Sequence, residues 1–167
     1  MKIRRALVVG FAAIGLGVPA PALANVHTGQ TTVVFSEQGA YACDGDCATA
    51  STFSAWGTLD SPGSGLGRVR FSVAGTVLGL NEGNTCLVQS EVWTFTARGG
   101  KDALTANTTT DSFCFGIADP NVNNESGHFE GVGTAGNWAG LHFSGDFAET
   151  VLGSPQIASG TITVRVG

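Results

Sequence analysis

The sequence predicts an all-β fold. Three observations carry that expectation: no stretch between residues 25 and 167 sustains helical periodicity, short runs rich in Val, Thr, Phe and Trp recur, and Gly, Asn, Asp, Ser and Pro separate those runs. About eight antiparallel strands follow. Short connections between sequential strands favour a closed up-and-down barrel, which leaves no sheet edge unpaired, over the alternative of a two-sheet β-sandwich. The 25 glycines of the 167-residue chain suit the sharp bends and bulges of barrel corners.

Ahead of the strands, residues 1–24 have the three parts of a secretory signal peptide: Lys2, Arg4 and Arg5 at the start, an apolar run from Ala6 to Val18, and Ala22-Leu23-Ala24 as a small-x-small cleavage site. The apolar run is shorter than the roughly 20 residues that a bilayer span needs. No cysteine follows it to take a lipid anchor, and no second apolar stretch lies near the C-terminus. The expectation is a secreted or periplasmic chain with no membrane span in its mature form and a single domain over 25–167.

Within that domain, strands are expected at 29–37, 50–58, 67–77, 85–97, 102–116, 126–132, 138–148 and 156–166. The third alternates most clearly, with Val69, Phe71 and Val73 on one face and Arg68, Arg70 and Ser72 on the other. Arg98-Gly99-Gly100-Lys101-Asp102 supplies the left-handed residues of a tight hairpin, so strands four and five pair antiparallel. Loops are expected at 61–65, 119–124 and 131–136.

All four cysteines, Cys43, Cys47, Cys86 and Cys114, follow the signal segment, and an even number in an exported chain reads as disulfides. Of the three pairings, spacing favours Cys43 with Cys47, which enclose Asp44-Gly45-Asp46, and Cys86 with Cys114, which sit symmetrically about Gly100 and face each other across the hairpin. Cys-x-x-x-Cys with two scattered cysteines lacks the paired knuckles of a structural zinc site.

Thirteen acidic residues stand against eight basic ones, a formal charge of −5, and three of those basic residues belong to the signal segment. Such an acidic chain, with no Lys/Arg cluster in its mature part, is not expected to bind nucleic acid or an anionic membrane surface.

Two stretches carry a family resemblance. Trp93-Thr94-Phe95-Thr96-Ala97-Arg98-Gly99-Gly100-Lys101-Asp102-Ala103-Leu104-Thr105-Ala106 and the later Gly127-His128-Phe129 through Gly133-Thr134-Ala135-Gly136-Asn137-Trp138-Ala139-Gly140 resemble small exported bacterial proteins of unknown function that carry a "TFTAxxGDxLT" hairpin followed by a "GGTGRFAGATGSGTF" hairpin. The second motif is similar to one in dirigent proteins and allene oxide cyclases. The resemblance covers about the last half of the mature chain and implies an eight-stranded barrel with a ligand cavity. An extra residue separates Thr134 from Gly136 here, and Trp138 stands where the motif has Phe. No functional residue of those families maps onto this chain.

Among chemistry-bearing residues, the histidines come first. If the hairpin of strands six and seven centres on Ala135, His128 faces His142 with Glu130 on the same face, a trio able to hold a divalent metal. On the plainer reading these residues alternate with Phe129, Leu141 and Phe143, which turn to the core, so the histidines point outward and no metal is bound. The chain has no Gly-x-Ser-x-Gly elbow and no phosphate-cradling Gly-rich loop, so no catalytic residue and no cofactor is assigned.

In the register that opposes Cys86 to Cys114, Gln89 opposes Asp111 and Glu91 opposes Thr109, on the face that also carries Leu87, Trp93, Phe95 and Phe113. If that face lines the barrel, Gln89, Glu91, Trp93 and Phe95 wall a cavity for a small, partly apolar ligand. If it points outward, Glu91 and Asp111 are solvated charges. On the first reading Trp93→Ala weakens ligand binding without unfolding the protein. The expected function is a non-enzymatic exported barrel with such a ligand. A cyclase-like or dirigent-like enzyme, and a surface or matrix protein with a packed interior, are the alternatives.

Overall fold

The computed structural model describes residues 31–43, 51–61, 67–83, 85–153 and 156–167. The signal-like segment and Cys47 lie outside the described residues. The strands are β1 (Thr31–Cys43), β2 (Thr52–Ser61), β3 (Gly67–Leu80), β4 (Cys86–Ala97), β5 (Asp102–Cys114), β6 (Val122–Ala135), β7 (His142–Gly153) and β8 (Gln156–Val166). Each pairs antiparallel with the next and β8 returns to β1, so the sheet is a closed eight-stranded barrel, as the sequence predicts.

Alternation decides what enters the lumen. In β3, Val69, Phe71 and Val73 are buried and Arg68, Arg70 and Ser72 are exposed. Trp93 of β4, 1% exposed, occupies the barrel axis. Phe71, Phe95 and Phe147 surround it at ring-centroid distances of 5.4, 5.4 and 5.3 Å, with Phe129 at 6.2 Å. An eight-stranded lumen has little room beyond its own side chains, so such a ring stack needs space on the facing strands. Glycines supply it in reciprocal pairs: Phe129 opposes Gly145 and Gly127 opposes Phe147 across β6 and β7, while Phe53 opposes Gly75 and Gly57 opposes Phe71 across β2 and β3. A Cβ on Gly145 would lie 2.4 Å from Phe129 Cζ.

One end of the barrel is closed. There β4 turns into β5 through a 3₁₀ turn at Arg98–Gly100, where Gly99 and Gly100 adopt φ of 66° and 88°. Alongside, β6 turns into β7 through a 3₁₀ turn at Gly136–Trp138, and buried Trp138 packs 5.9 Å from Phe143. Asp102, itself buried, accepts the Asn137 backbone N–H at 2.7 Å and ties the two turns together. This second turn corrects the sequence reading. Gly136 and Gly140, with φ of 63° and 80°, carry the chain through a wider connection, so β7 begins at His142 and not at 138, and the hairpin centres on Asn137 and not on Ala135. β6 likewise runs from 122 to 135, beyond the expected 126–132.

Candidate functional site: a carboxyl-lined cavity

Below the ring stack the inward rows change character. Two residues before Trp93 on β4 comes Glu91, four before Phe129 on β6 comes Glu125, and two after Phe147 on β7 comes Glu149. These three line the lumen, and Asp111 of β5 is buried beside Glu91 and Glu125, so four neighbouring strands each bring one carboxyl to this level. Carboxyls do not fill space as rings do, and the barrel here encloses a cavity of about 580 Å³. Its walls are mainly apolar, with Phe53, Phe71, Val73, Leu87 and Phe113 among them, and Tyr41 stands near its mouth, donating its hydroxyl to the Leu152 carbonyl at 3.1 Å. Apolar walls around a few convergent polar groups are the usual make-up of a small-molecule pocket.

A β-bulge brings Asp111 inward. Upstream on β5 the even positions Asp102, Leu104 and Ala106 are buried, whereas beyond the Thr108–Thr110 run the odd position Asp111 is buried. The register to β6 slips at this point, with Thr108 opposite Phe129 and Thr110 opposite His128, so Thr109 is the extra residue. Regular pairing of β4 with β5 lapses between Val88 and Val92, and the Thr108 hydroxyl takes over as acceptor for the Glu91 N–H at 2.7 Å. Thr109 itself is exposed, a correction to the sequence reading that placed it on the cavity face opposite Glu91. The register centred on Gly100 holds at the mouth, where Cys86 opposes Cys114 and the two form the predicted disulfide, with Cα atoms 4.0 Å apart. Cys43 is also disulfide-bonded; its expected partner Cys47 is not among the described residues.

The electrostatics of the cluster are one-sided. Glu91 and Asp111 are each 3% exposed and Glu125 is 7% exposed. Glu125 and Glu149 sit directly opposite each other on β6 and β7, a like-charge pairing that opposes folding when both are ionised. An oxygen each of Glu91, Asp111 and Glu125 lies within 4.8 Å of the others. No Lys, Arg or His lines the cavity among the described residues. Burial pushes Glu91 and Glu125 well above the usual carboxyl range, reinforced by the Asp111 charge on Glu91 and the Glu91 charge on Glu125. Burial likewise raises Asp111 to about 7. Trp93 opposes this for Glu91 alone: its indole Nε1–H donates to Glu91 Oε2 at 2.7 Å. Among the described residues, no N–H or O–H donor reaches either Asp111 oxygen or Glu125 Oε1, all of them buried.

The four residues singled out from the sequence separate into two levels. Gln89, Glu91 and Trp93 line the cavity, the first with a buried, unpartnered Oε1. Phe95 lies a layer deeper, in the packed core against Trp93. Trp93 is the keystone of that core, so Trp93→Ala is not the mild probe the sequence suggested: emptying so large a buried site costs about 3–5 kcal/mol. Glu125, Glu149 and Tyr41 were not anticipated. On the outer surface the two-residue shift of the β6–β7 hairpin keeps His128 and His142 on one face but separates them. His128 opposes Asp146, His142 opposes Val132 and Glu130 opposes Ser144. Asp146 instead bonds His128 Nδ1 at 2.7 Å and Arg165 at 2.8 Å, and these two neighbours hold its carboxyl below the usual range. Among the described residues, the group close enough to share a cation is Glu91, Asp111 and Glu125. No helix among the described residues is long and apolar enough to cross a membrane. No family model, no curated protein and no solved structure matches this chain.

Proposed function

We propose that this protein is an exported, non-enzymatic barrel that binds a small, partly apolar ligand in the half of its lumen left open beneath Trp93. The cavity of about 580 Å³ carries this reading, being large enough for a small organic molecule and walled mainly by aromatic and aliphatic groups. Export is supported by the signal-like segment and by the Cys86–Cys114 disulfide. The resemblance to the allene oxide cyclase and dirigent barrels points the same way, toward a hollow barrel. Native mass spectrometry of the protein purified from its own host tests the proposal. A non-covalent organic adduct that is lost on denaturation is the expected result. A bare mass, together with tryptophan fluorescence that no organic probe alters, overturns it in favour of a protein acting through its surface.

A second reading, a cyclase-like enzyme in the same cavity, is favoured by one observation: Asp111, raised to about 7 by burial beside the cavity-lining Glu91 and Glu125, is poised as a general acid. Recovery of the bound molecule chemically unchanged after prolonged incubation at 25 °C decides for binding alone.

A further inference from the structure

We infer that the ligand of this cavity is an uncharged, chain-like molecule, mainly hydrocarbon with a neutral polar end, lying along the barrel axis between Trp93 and the open rim. The inference rests on the ligand-binding reading above and adds shape and charge. Leu87, Gln89, Glu91 and Trp93, alternate residues of β4, line the cavity at four successive levels. At about 3.3 Å per residue on strands tilted about 40°, these levels span about 15 Å of the axis, so 580 Å³ corresponds to a channel about 7 Å across. A chain uses the whole of that length, whereas a compact molecule leaves part of the apolar wall uncovered.

The walls disfavour either sign of charge. An anion meets Glu91, Glu125 and Glu149 and, among the described residues, no Lys, Arg or His. A cation gains little more: the Trp93 indole N–H already occupies Glu91 Oε2, and Glu125 Oε1, Glu149 Oε2 and both Asp111 oxygens are buried out of a ligand's reach. Burial holds Glu91 and Glu125 above the usual carboxyl range, so they keep their protons and offset little of a cation's lost hydration. Tyr41 and Asn123 are neutral polar groups of the lining, suited to a hydroxyl or amide end. The remaining wall is hydrocarbon, with Phe53 and Ala55 from β2, Val73 and Val77 from β3 and Ala158 from β8.

That hydrocarbon does not stop at the mouth. Half-exposed Leu80 opposes the lining Leu87, the partly exposed Phe115 ring packs 5.9 Å from the lining Phe113, and Ile117 beyond it is 97% exposed. An apolar track therefore runs from Trp93 out over the rim on the β3–β5 side. Large apolar side chains left in water at the mouth of an apolar channel mark an interaction site, here the path by which an apolar ligand enters.

Isothermal titration of the folded, oxidised protein at pH 7.5 tests this with n-hexanol, n-octanol, n-decanol, decanoate and decylammonium. Alcohol affinity is expected to rise about fourfold per methylene from the shortest chain to the longest, and n-decanol to bind at least about tenfold more tightly than either ion of the same chain length. Ala158→Leu fills the apolar side of the lumen without touching an acid, and should weaken n-decanol binding at least about tenfold while urea denaturation shows the variant folded. Should the variant not fold, the series on the natural chain decides alone. Decanoate or decylammonium binding as tightly as n-decanol overturns the uncharged class, and equal affinities for n-hexanol and n-decanol overturn the elongated shape; both results leave the ligand-binding reading standing. A folded Ala158→Leu variant with unchanged n-decanol affinity takes the ligand out of the lumen and overturns both, as does binding of none of the probes.

Discussion

Asp111→Asn tests the electrostatic account of the cavity without changing its shape. Asp111 is raised from 3.8 to about 7, chiefly by burial. Between those values the native state retains a proton that the unfolded chain has released, so the native state binds more protons and stability falls as pH rises. The fall begins near pH 4, ends near pH 7 and amounts to about 4 kcal/mol for a shift of this size, at about 1.4 kcal/mol per pH unit. Asparagine cannot ionise, and its amide can donate to the Glu91 and Glu125 carboxyls. At pH 8 the variant is therefore expected to be more stable than the natural protein by up to about 4 kcal/mol, and at pH 4 the two should coincide. Glu91 and Glu125 still titrate, so the variant keeps a shallower decline of the same sign. The lowered Asp146 has the opposite sign: its contribution is present above the ordinary carboxyl value and lost only at lower pH, outside this window. Urea denaturation at pH 4, 5.5, 7 and 8.5, disulfides intact, reads all of this. Natural-chain stability that rises from pH 4 to 7, or a variant less stable than the natural chain at pH 8, would refute the reasoning.

Other expectations follow from single contacts. Trp93→Phe keeps most of the ring stack but removes the donor to Glu91 Oε2, so it should destabilise the protein by about 1.5–3 kcal/mol at pH 8 and by less at pH 4, as measured by urea denaturation. Gly145→Ala drives a methyl against Phe129 Cζ and the Thr163 carbonyl, an overpacking expected to cost about 1–3 kcal/mol and to lower the thermal midpoint in a calorimetric scan. Replacing Cys86 and Cys114 together by serine opens a loop of sequence separation 28 and should cost about 3–4 kcal/mol, seen as a lower urea midpoint. Thr108→Val removes the acceptor for the Glu91 N–H at the bulge; a loss of about 1–2 kcal/mol is expected, with faster amide exchange at Glu91 as its local signature.

Much of this barrel is legible from the chain because its restraints are local. The Gly99-Gly100 turn fixes the β4–β5 hairpin, the facing cysteines fix its register at the mouth, and together they place Gln89, Glu91 and Asp111 on the face of Trp93. The Thr108-Thr109-Thr110 run hides the bulge, since three identical residues show no alternation that could reveal an extra one. The β6–β7 connection spans more residues than a tight turn, so its centre was displaced by two. Faces survive an even displacement and partners do not, which is why His128 points outward as expected yet meets Asp146 instead of His142. Glu125 was missed for a related reason. It lies on the inward row of Phe129, but a carboxyl in a core row reads as a loop residue, and the strand was begun one residue too late to include it.

That misreading bears on what the cavity is for. A sequence selected only for a stable barrel would continue the rows of Trp93, Phe129 and Phe147 with apolar residues, as the chain does toward its closed end with Phe95 and Phe143. Toward the open end it breaks the pattern on four consecutive strands at one level, with two of the four acids directly opposed. One such break is tolerable as an accident, but four that converge, with no basic residue to balance them among the described lining, hold the fold below the stability its own core could reach. Where local rules for a stable core fail together at one place, the gain has to lie outside the folded chain itself. If the proposed ligand occupies this end of the lumen, its binding energy adds to the stability of the complex, so the stability given up in the apo protein is regained on binding.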